Sequence, residues 1–259
     1  MITLTSDFGS PYPAAMRGVI LRRSDARLVD VTHELPRQDV LAAGFWCREV
    51  LVWFPPAVHL VVVDPGVGTE RAAIVLRCGN HALVGPDNGV LVPTARELAD
   101  GDSEIAAFRI EDDDARSSTF HGRDVFAPAA ADVHEAGVEN VGAVDRIDPV
   151  DGFVDLRLSD SRVDPEANRA VGTVLVVDDF GNLITNVPGS VLDGLESIRV
   201  DGGNCENARV PVGETFAAVD PGTRLATVGS HGNVELDVNR GRGDEAFGLR
   251  AGEEVVLIW

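Results

Sequence analysis

A carboxylate and a guanidinium seven positions apart, on either side of a glycine turn, are the first chemically suggestive pair in this chain. Asp64 follows the apolar run 58 to 63, Pro65, Gly66 and Gly68 form the turn, and Arg71 comes after it. The turn lacks the Gly-Lys-Ser/Thr of a phosphate-binding loop, and the chain contains no lysine, so nucleotide phosphate is not the expected ligand. The apolar run delivers Asp64 to the edge of a sheet, and Arg71 can fold back to pair with it. The same pair can instead serve only to stabilise the turn. Thr119-Phe120-His121-Gly122-Arg123-Asp124 adds an imidazole. Asp124 is placed to cap the following helix, which leaves His121 free to face a pocket. His33, His59, His81, His134 and His231 have no such setting.

Other motifs suit recognition. Asp7, in Thr5-Ser6-Asp7-Phe8-Gly9, ends a strand-like run. It can accept hydrogen bonds from both hydroxyls of a ribose, or cap a helix. Gly85-Pro86-Asp87-Asn88-Gly89 reads as a structural turn. Asp178-Asp179-Phe180-Gly181-Asn182 offers carboxylates for an ammonium group and, in Asn182, a donor and acceptor for an adenine edge. A plain hairpin turn with Phe180 in the core is the alternative. Gly229-Ser230-His231-Gly232 presents a small hydroxyl suited to a carboxylate, and Glu235 follows on a strand.

These residues need a scaffold. Residues 2 to 5 and 28 to 31 read as strands, with a helix between them over 13 to 23. Apolar positions from Val40 to Phe54 fall at helical spacing and stop at Pro55-Pro56. Strands over 58 to 63, 73 to 76 and 105 to 108 follow, then a helix from Asp124 to Glu135. This alternation predicts an α/β N-terminal domain with a mostly parallel sheet over residues 1 to 158. Residues 159 to 169 are polar and contain Pro165, which suggests a linker. Seven short strand-like runs then predict a small C-terminal β-barrel over 170 to 259.

Composition narrows the partners. Hydrophobic residues make up 44% of the 259, enough for packed cores. No apolar run approaches the roughly 20 residues of a membrane span. No basic segment followed by an apolar one opens the chain, so the expected location is the cytoplasm. Asp and Glu number 42 against 22 basic residues, all Arg, for a net charge of −20. That charge disfavours nucleic acid and anionic membranes as partners. Beyond the run Glu111-Asp112-Asp113-Asp114 the acids are dispersed, which suggests a salt-rich cell interior. At molar salt a Debye length of about 3 Å screens such self-repulsion. Cys47, Cys78 and Cys205 form no CxxC pair and read as small buried hydrophobes.

Taken together and in this order, TSDFG, VVDPGVGT with its Arg, GPDNG, TFHGRD and DDFGN resemble the S-adenosyl-L-methionine (SAM) hydroxide adenosyltransferases. That family is related to SAM-dependent chlorinases and fluorinases. The resemblance runs from residue 2 to the last strand. It implies an enzyme that hydrolyses SAM to adenosine and L-methionine, using no metal or other cofactor. It also implies a homotrimer with sites at subunit interfaces. Asp64, Arg71 and His121 carry over as the water-activating triad and Asp7 as the ribose ligand. Asn182 and, at the rim, Glu235 carry over toward adenine, and Asp178 and Ser230 toward the methionine ammonium and carboxylate. Asp179 competes with Asp178 for that role. The halogenases place an uncharged Tyr where this chain has Asp64, and Tyr-Ser where it has His121-Gly122. The segment Ser10-Pro11-Tyr12-Pro13 and the start Gly229-Ser230 depart from the family pattern. Alternatives at this stage are a SAM-dependent halogenase, a non-catalytic SAM or adenosine binder, and a metal-dependent hydrolase built on Asp7, Asp64, Asp87 and His121.

Overall fold

The computed structural model describes residues 1 to 99, 104 to 111, 117 and 119 to 259. Asp112, Asp113 and Asp114 of the acidic run lie outside the described residues. The chain forms two compact units, Met1–Arg157 and Leu158–Trp259.

The first unit is built in the order β1 (Ile2–Ser6), α1 (Tyr12–Ile20), β2 (Leu28–Thr32), α2 (Val40–Leu51), β3 (Val58–Val62), β4 (Ala73–Cys78), β5 (His81–Pro86), α3 (Val92–Leu98), β6 (Ile105–Ile110), α4 (Ala127–Ala136) and β7 (Ile147–Val150). Its sheet has the order β2-β1-β3-β5-β4-β6-β7. Strands β2, β1, β3 and β5 run parallel, and β6 points the same way, with β4 and β7 antiparallel to their neighbours. Both faces are covered, which is why β1 and β3 are buried at every position rather than at alternate ones. Leu60 and Val62 pack with Met16, Ile20 and Phe126 under α1 and α4. Val61 and Val63 pack on the other face with Cys47, Leu51 and Leu91, from α2 and the start of α3.

Element ends follow local chemistry. Asp39 caps α2, its Oδ1 accepting from the Ala42 amide at 3.0 Å. That helix stops at Leu51, three residues before the expected Phe54, because the approach to Pro55-Pro56 disfavours helical backbone. Helix α1 ends at Ile20, and Arg22 and Arg23 close tighter turns onto Val19 and Ile20. The helix expected from Asp124 starts instead as a π-turn, Gly122–Phe126, in which the Ala127 amide bonds to the Gly122 carbonyl. Asp124 does not cap it; its two oxygens hold the Arg123 guanidinium at 2.7 Å each. Strand β5 was hidden by the turn-like Gly85-Pro86. Gly85 is required there, since a Cβ would come within 2.3 Å of the Val61 carbonyl.

The second unit comprises β8 (Arg162–Asp164), β9 (Arg169–Val177), β10 (Leu183–Pro188), β11 (Ser197–Gly202), β12 (Cys205–Pro211), β13 (Arg224–Val228), β14 (Asn233–Val238), the one-turn α5 (Gly243–Phe247) and β15 (Glu254–Ile258). The path β12-β11-β15-β9-β10-β14-β13 bends at the long β9. It closes through a bridge between Val212 and Ala226, reinforced by the Gly213 amide on the Ala226 carbonyl at 3.0 Å. The result is the expected small barrel around Leu183, Val200, Leu236, Phe247 and Leu257. The segment expected as a linker contains β8, which pairs with β9.

Candidate active site

Strands β1 and β3 are parallel neighbours, so their carboxyl ends deliver Asp7 and Asp64 to the same edge of the sheet. There they line a cavity of about 500 Å³ together with Phe8, Tyr12, Gln38, Phe120 and His121. A larger cleft of about 660 Å³ beside α1 and α4 is lined by Arg23, Arg123 and Arg146. Each of these is paired with a carboxylate, on Asp132, Asp124 and Glu111 respectively. The smaller cavity is where unlike reactive groups converge.

Arg71 folds back as a fork on Asp64, with Nε to Oδ1 at 3.1 Å and Nη2 to Oδ2 at 2.6 Å. Both side chains are nearly buried, at 8% and 5% exposure. Arg71 also donates from Nη1 to the Ala72 carbonyl at 2.9 Å and stacks over the Phe126 ring at 5.2 Å. Its Nη2 lies 3.1 Å from His121 Nδ1. A guanidinium only donates, so Nδ1 is the acceptor and the ring proton sits on Nε2. His121 is buried. The triad is thus an ordered carboxylate–guanidinium–imidazole chain. Each Asp64 oxygen keeps a lone pair beyond its arginine bond, while the π-turn and Gly122 fix the His121 backbone.

The GPDNG turn supports this site from behind. Asn88 Nδ2 donates to the Val63 carbonyl, next to Asp64, at 2.9 Å. Asp87 accepts from the Val154 amide at 2.8 Å.

Asp7 is buried and accepts from the Gln38 amide at 2.7 Å. It caps no helix: α1 begins five residues later, with no side-chain cap. Gln38 has φ of 58°, a left-handed backbone that a side chain adopts at a cost of about 1 kcal/mol or more. The strain buys the amide's aim at Asp7. Sequence reading missed Gln38, whose only signal is the loop Pro36-Arg37-Gln38 before a helix cap.

In the second unit, Asp178 and Asn182 are brought together. Asp178 Oδ1 accepts from the amides of Phe180 at 3.0 Å and Asn182 at 2.8 Å, and Oδ2 accepts from Asn182 Nδ2 at 2.9 Å. Asp179 is exposed, and its carbonyl accepts from Arg242 Nη1 at 3.1 Å. Phe180, an alternative core residue by sequence, is 77% exposed. Ser230 is exposed at the β13–β14 turn. Glu235 is buried, 3.3 Å from His231 Nδ1.

The other histidines sit away from any helix entry such as that of His121 and are held by neighbouring groups. His59 is buried between Thr3 and His81, and His134 meets the terminal amine of Met1. Burial and the neighbouring His81 push the His59 pKa down to about 3. His33 bonds Ser6 and Asp30. Cys47, Cys78 and Cys205 are buried free thiols, and burial pushes Cys47 and Cys78 up to about 12.

An α/β unit with this triad at its strand ends, followed by a nearly closed barrel, defines a two-unit class of chain. Residues 2 to 142 match the SAM hydroxide adenosyltransferase N-terminal domain, and residues 172 to 256 match the corresponding C-terminal domain. The chain therefore belongs to the SAM hydroxide adenosyltransferase family. It is similar to the (R)-S-adenosyl-L-methionine hydrolase of Salinispora arenicola, at 39% identity over 98% of this chain and 96% of the relative. Its similarity to the hydrolase of the same name from Thermus thermophilus is also 39%, over 98% and 97%. Among solved structures it resembles an uncharacterized conserved protein from Thermotoga maritima, with a TM-score of 0.83, 33% identity, and coverage of 99% of this chain and 100% of that one.

Proposed function

We propose that this enzyme hydrolyses SAM, water displacing methionine from the ribose C5′ to give adenosine and L-methionine. The observation that carries the reading is the buried Asp64–Arg71–His121 chain at the strand ends, in a chain whose full-length relatives are named for this hydrolysis. A sulfonium already leaves as a neutral thioether, so the leaving group needs no acid. The demand is on the nucleophile. Water must sit in line with the C5′–S bond and lose a proton as it attacks. Asp64 accepts that proton, Arg71 fixes the carboxylate, and His121 offers its Nε2 proton to orient the water. One water is consumed and one proton released per sulfonium lost.

Asp7 is assigned to the ribose hydroxyls, Asn182 and Glu235 to adenine, and Asp178 and Ser230 to the methionine ammonium and carboxylate. The reaction needs no metal or added cofactor. The guanidinium paired with Asp64 opposes a second cation beside that carboxylate. Among the described residues no group of three or more His, Cys, Asp or Glu is arranged to hold a metal ion.

Chromatography of SAM incubated with the pure protein tests the function. Adenosine and methionine are expected in equal amounts, with the rate unchanged in EDTA. Because relatives are named for the (R) epimer, both sulfonium epimers belong in the assay. Tight binding without turnover would mark a sensor instead, and activity lost in EDTA and restored by a divalent ion would mark a metal enzyme.

The working form is assigned as a homotrimer. The exposed aromatics Trp53 and Phe180 support it, as side chains an interface would cover. Light scattering should return three chain masses, and a fully active monomer would contradict the assignment. The free thiols fit a reducing cytoplasm. No helix among the described residues is long and apolar enough to cross a membrane. The net charge of −20 with no lysine fits a salt-rich interior.

A further inference from the structure

Ser6, His33 and Asp30 form a chain of the residue types found in nucleophilic triads. Ser6 Oγ lies 2.8 Å from His33 Nδ1, and His33 Nε2 lies 3.2 Å from Asp30 Oδ1. Arg17 of α1 holds the second Asp30 oxygen. Ser6 is completely buried, so it cannot meet a substrate, and the chain is not a second nucleophilic site. Its place in the fold points elsewhere. Ser6 is the residue before Asp7, and the loop after β2 is tied to the end of β1 and the loop that follows it at three further points. The Gly9 amide bonds to the His33 carbonyl at 2.8 Å, and the Leu35 amide to the Ser6 carbonyl at 3.2 Å. The Gln38 amide reaches Asp7 at 2.7 Å. The Glu34 amide closes the loop on its own Thr32 hydroxyl at 3.1 Å. A register shift between the pairs Leu4–Asp30 and Thr5–Thr32 puts an extra residue into β2 just ahead of His33. Bulges of this kind re-aim side chains beside functional sites.

We infer that His33 is a positioning residue for Asp7, acting through Ser6. Asp30 accepts only from a protonated Nε2, which leaves Nδ1 to accept the Ser6 hydroxyl proton. Ser6 is thereby pinned from the β2 side while Gln38 pins Asp7 from the same loop. The carboxylate is held ready before the ribose arrives, so its ordering is not charged to binding. The inference rests on Asp7 being the ribose ligand.

Steady-state kinetics on SAM with His33→Asn, His33→Gln, His33→Ala, Ser6→Ala and Asp7→Asn test it. Asn can place its amide oxygen where Nδ1 sits, whereas Gln reaches toward the Nε2 position. His33→Gln, His33→Ala and Ser6→Ala should each raise KM on the order of tenfold, the scale of one buried hydrogen bond, with kcat within about threefold. His33→Asn should stay within about twofold of the native KM. The double variant Ser6→Ala with His33→Ala should be no worse than either single one, because both cut the same link. Equal KM values for all His33 variants, or losses confined to kcat or to thermal stability, would overturn the inference. An Asp7→Asn variant with native KM would instead sink the ribose assignment, whatever the His33 series gives.

Discussion

Asp64→Asn should lower kcat by about two to four orders of magnitude, the usual range for losing a positioned base, with KM changed only a few-fold. The substitution is nearly isosteric, and its amide oxygen can still accept from Arg71. What it cannot do is take a proton from water. His121→Ala and Arg71→Ala should also fall mainly on kcat, and by less than additively, because the three groups form one hydrogen-bonded chain. If all three variants weaken binding and leave kcat intact, the triad assignment is wrong. The same carboxylate bears on halides. An anion about 4 Å from Asp64 is opposed by up to about 4 kcal/mol at an effective dielectric of 20, less what the paired Arg71 guanidinium returns, whereas water is held as a donor. In molar potassium chloride the native enzyme should therefore release adenosine and no chlorinated nucleoside. Trace 5′-chloro-5′-deoxyadenosine from Asp64→Asn alone would support exclusion by charge. A chlorinated main product from the native enzyme would make it a halogenase.

The residues that could be read from sequence are those whose partners are near in the chain or whose turn chemistry is distinctive. Asp64 and Arg71 are seven apart around a glycine turn, and the ion pair follows from that spacing. Asp178 and Asn182 close on each other within five residues. His33 and Gln38 stayed hidden because their partners, Ser6 and Asp7, lie 27 and 31 positions away, across a strand crossover. The α/β alternation of the first unit was legible from its apolar runs. Strand β5 and helix α3 were not, since Gly85-Pro86 and Pro93 look like breakers until β3 packs against one and α2 against the other. The π-turn leaves no periodic trace at all. It is a single register slip in a helix, and it lies between His121 and Phe126, which both contact Arg71.

Asp237 was hidden for a related reason, and it carries the largest expected effect on stability. Along β14, Val234 and Leu236 face the barrel core, so Glu235 and Asp237 take the opposite face, which by alternation alone should meet water. Instead the start of α5 lies against it: a Cβ on Gly243 would touch the Leu236 carbonyl and come within 3.4 Å of the Asp237 Cα. Asp237 is fully buried, and neither carboxyl oxygen has a hydrogen-bond partner among the described residues. Burial first, then the charges of Glu235 and Asp178, push its pKa up to about 8 from an ordinary 3.8. The folded chain therefore holds a proton that the unfolded chain has released, and stability falls as pH rises from about 4 to about 8, then levels off. At 1.36 kcal/mol per pH unit, the span between pH 5 and pH 8 is on the order of 4 kcal/mol. Asp237→Val, close in volume and suited to a strand, removes the ionisation altogether. Its melting temperature should exceed the native value modestly at pH 5 and by roughly 8–16 °C more at pH 8, taking 2–4 °C per kcal/mol for a chain of this size. Asp178→Asn should recover part of that gain, because it removes one of the two charges that hold the proton on Asp237. Calorimetry across pH 5 to 8 reads both effects, and a native and an Asp237→Val profile that run parallel would show that Asp237 is an ordinary, ionised carboxylate.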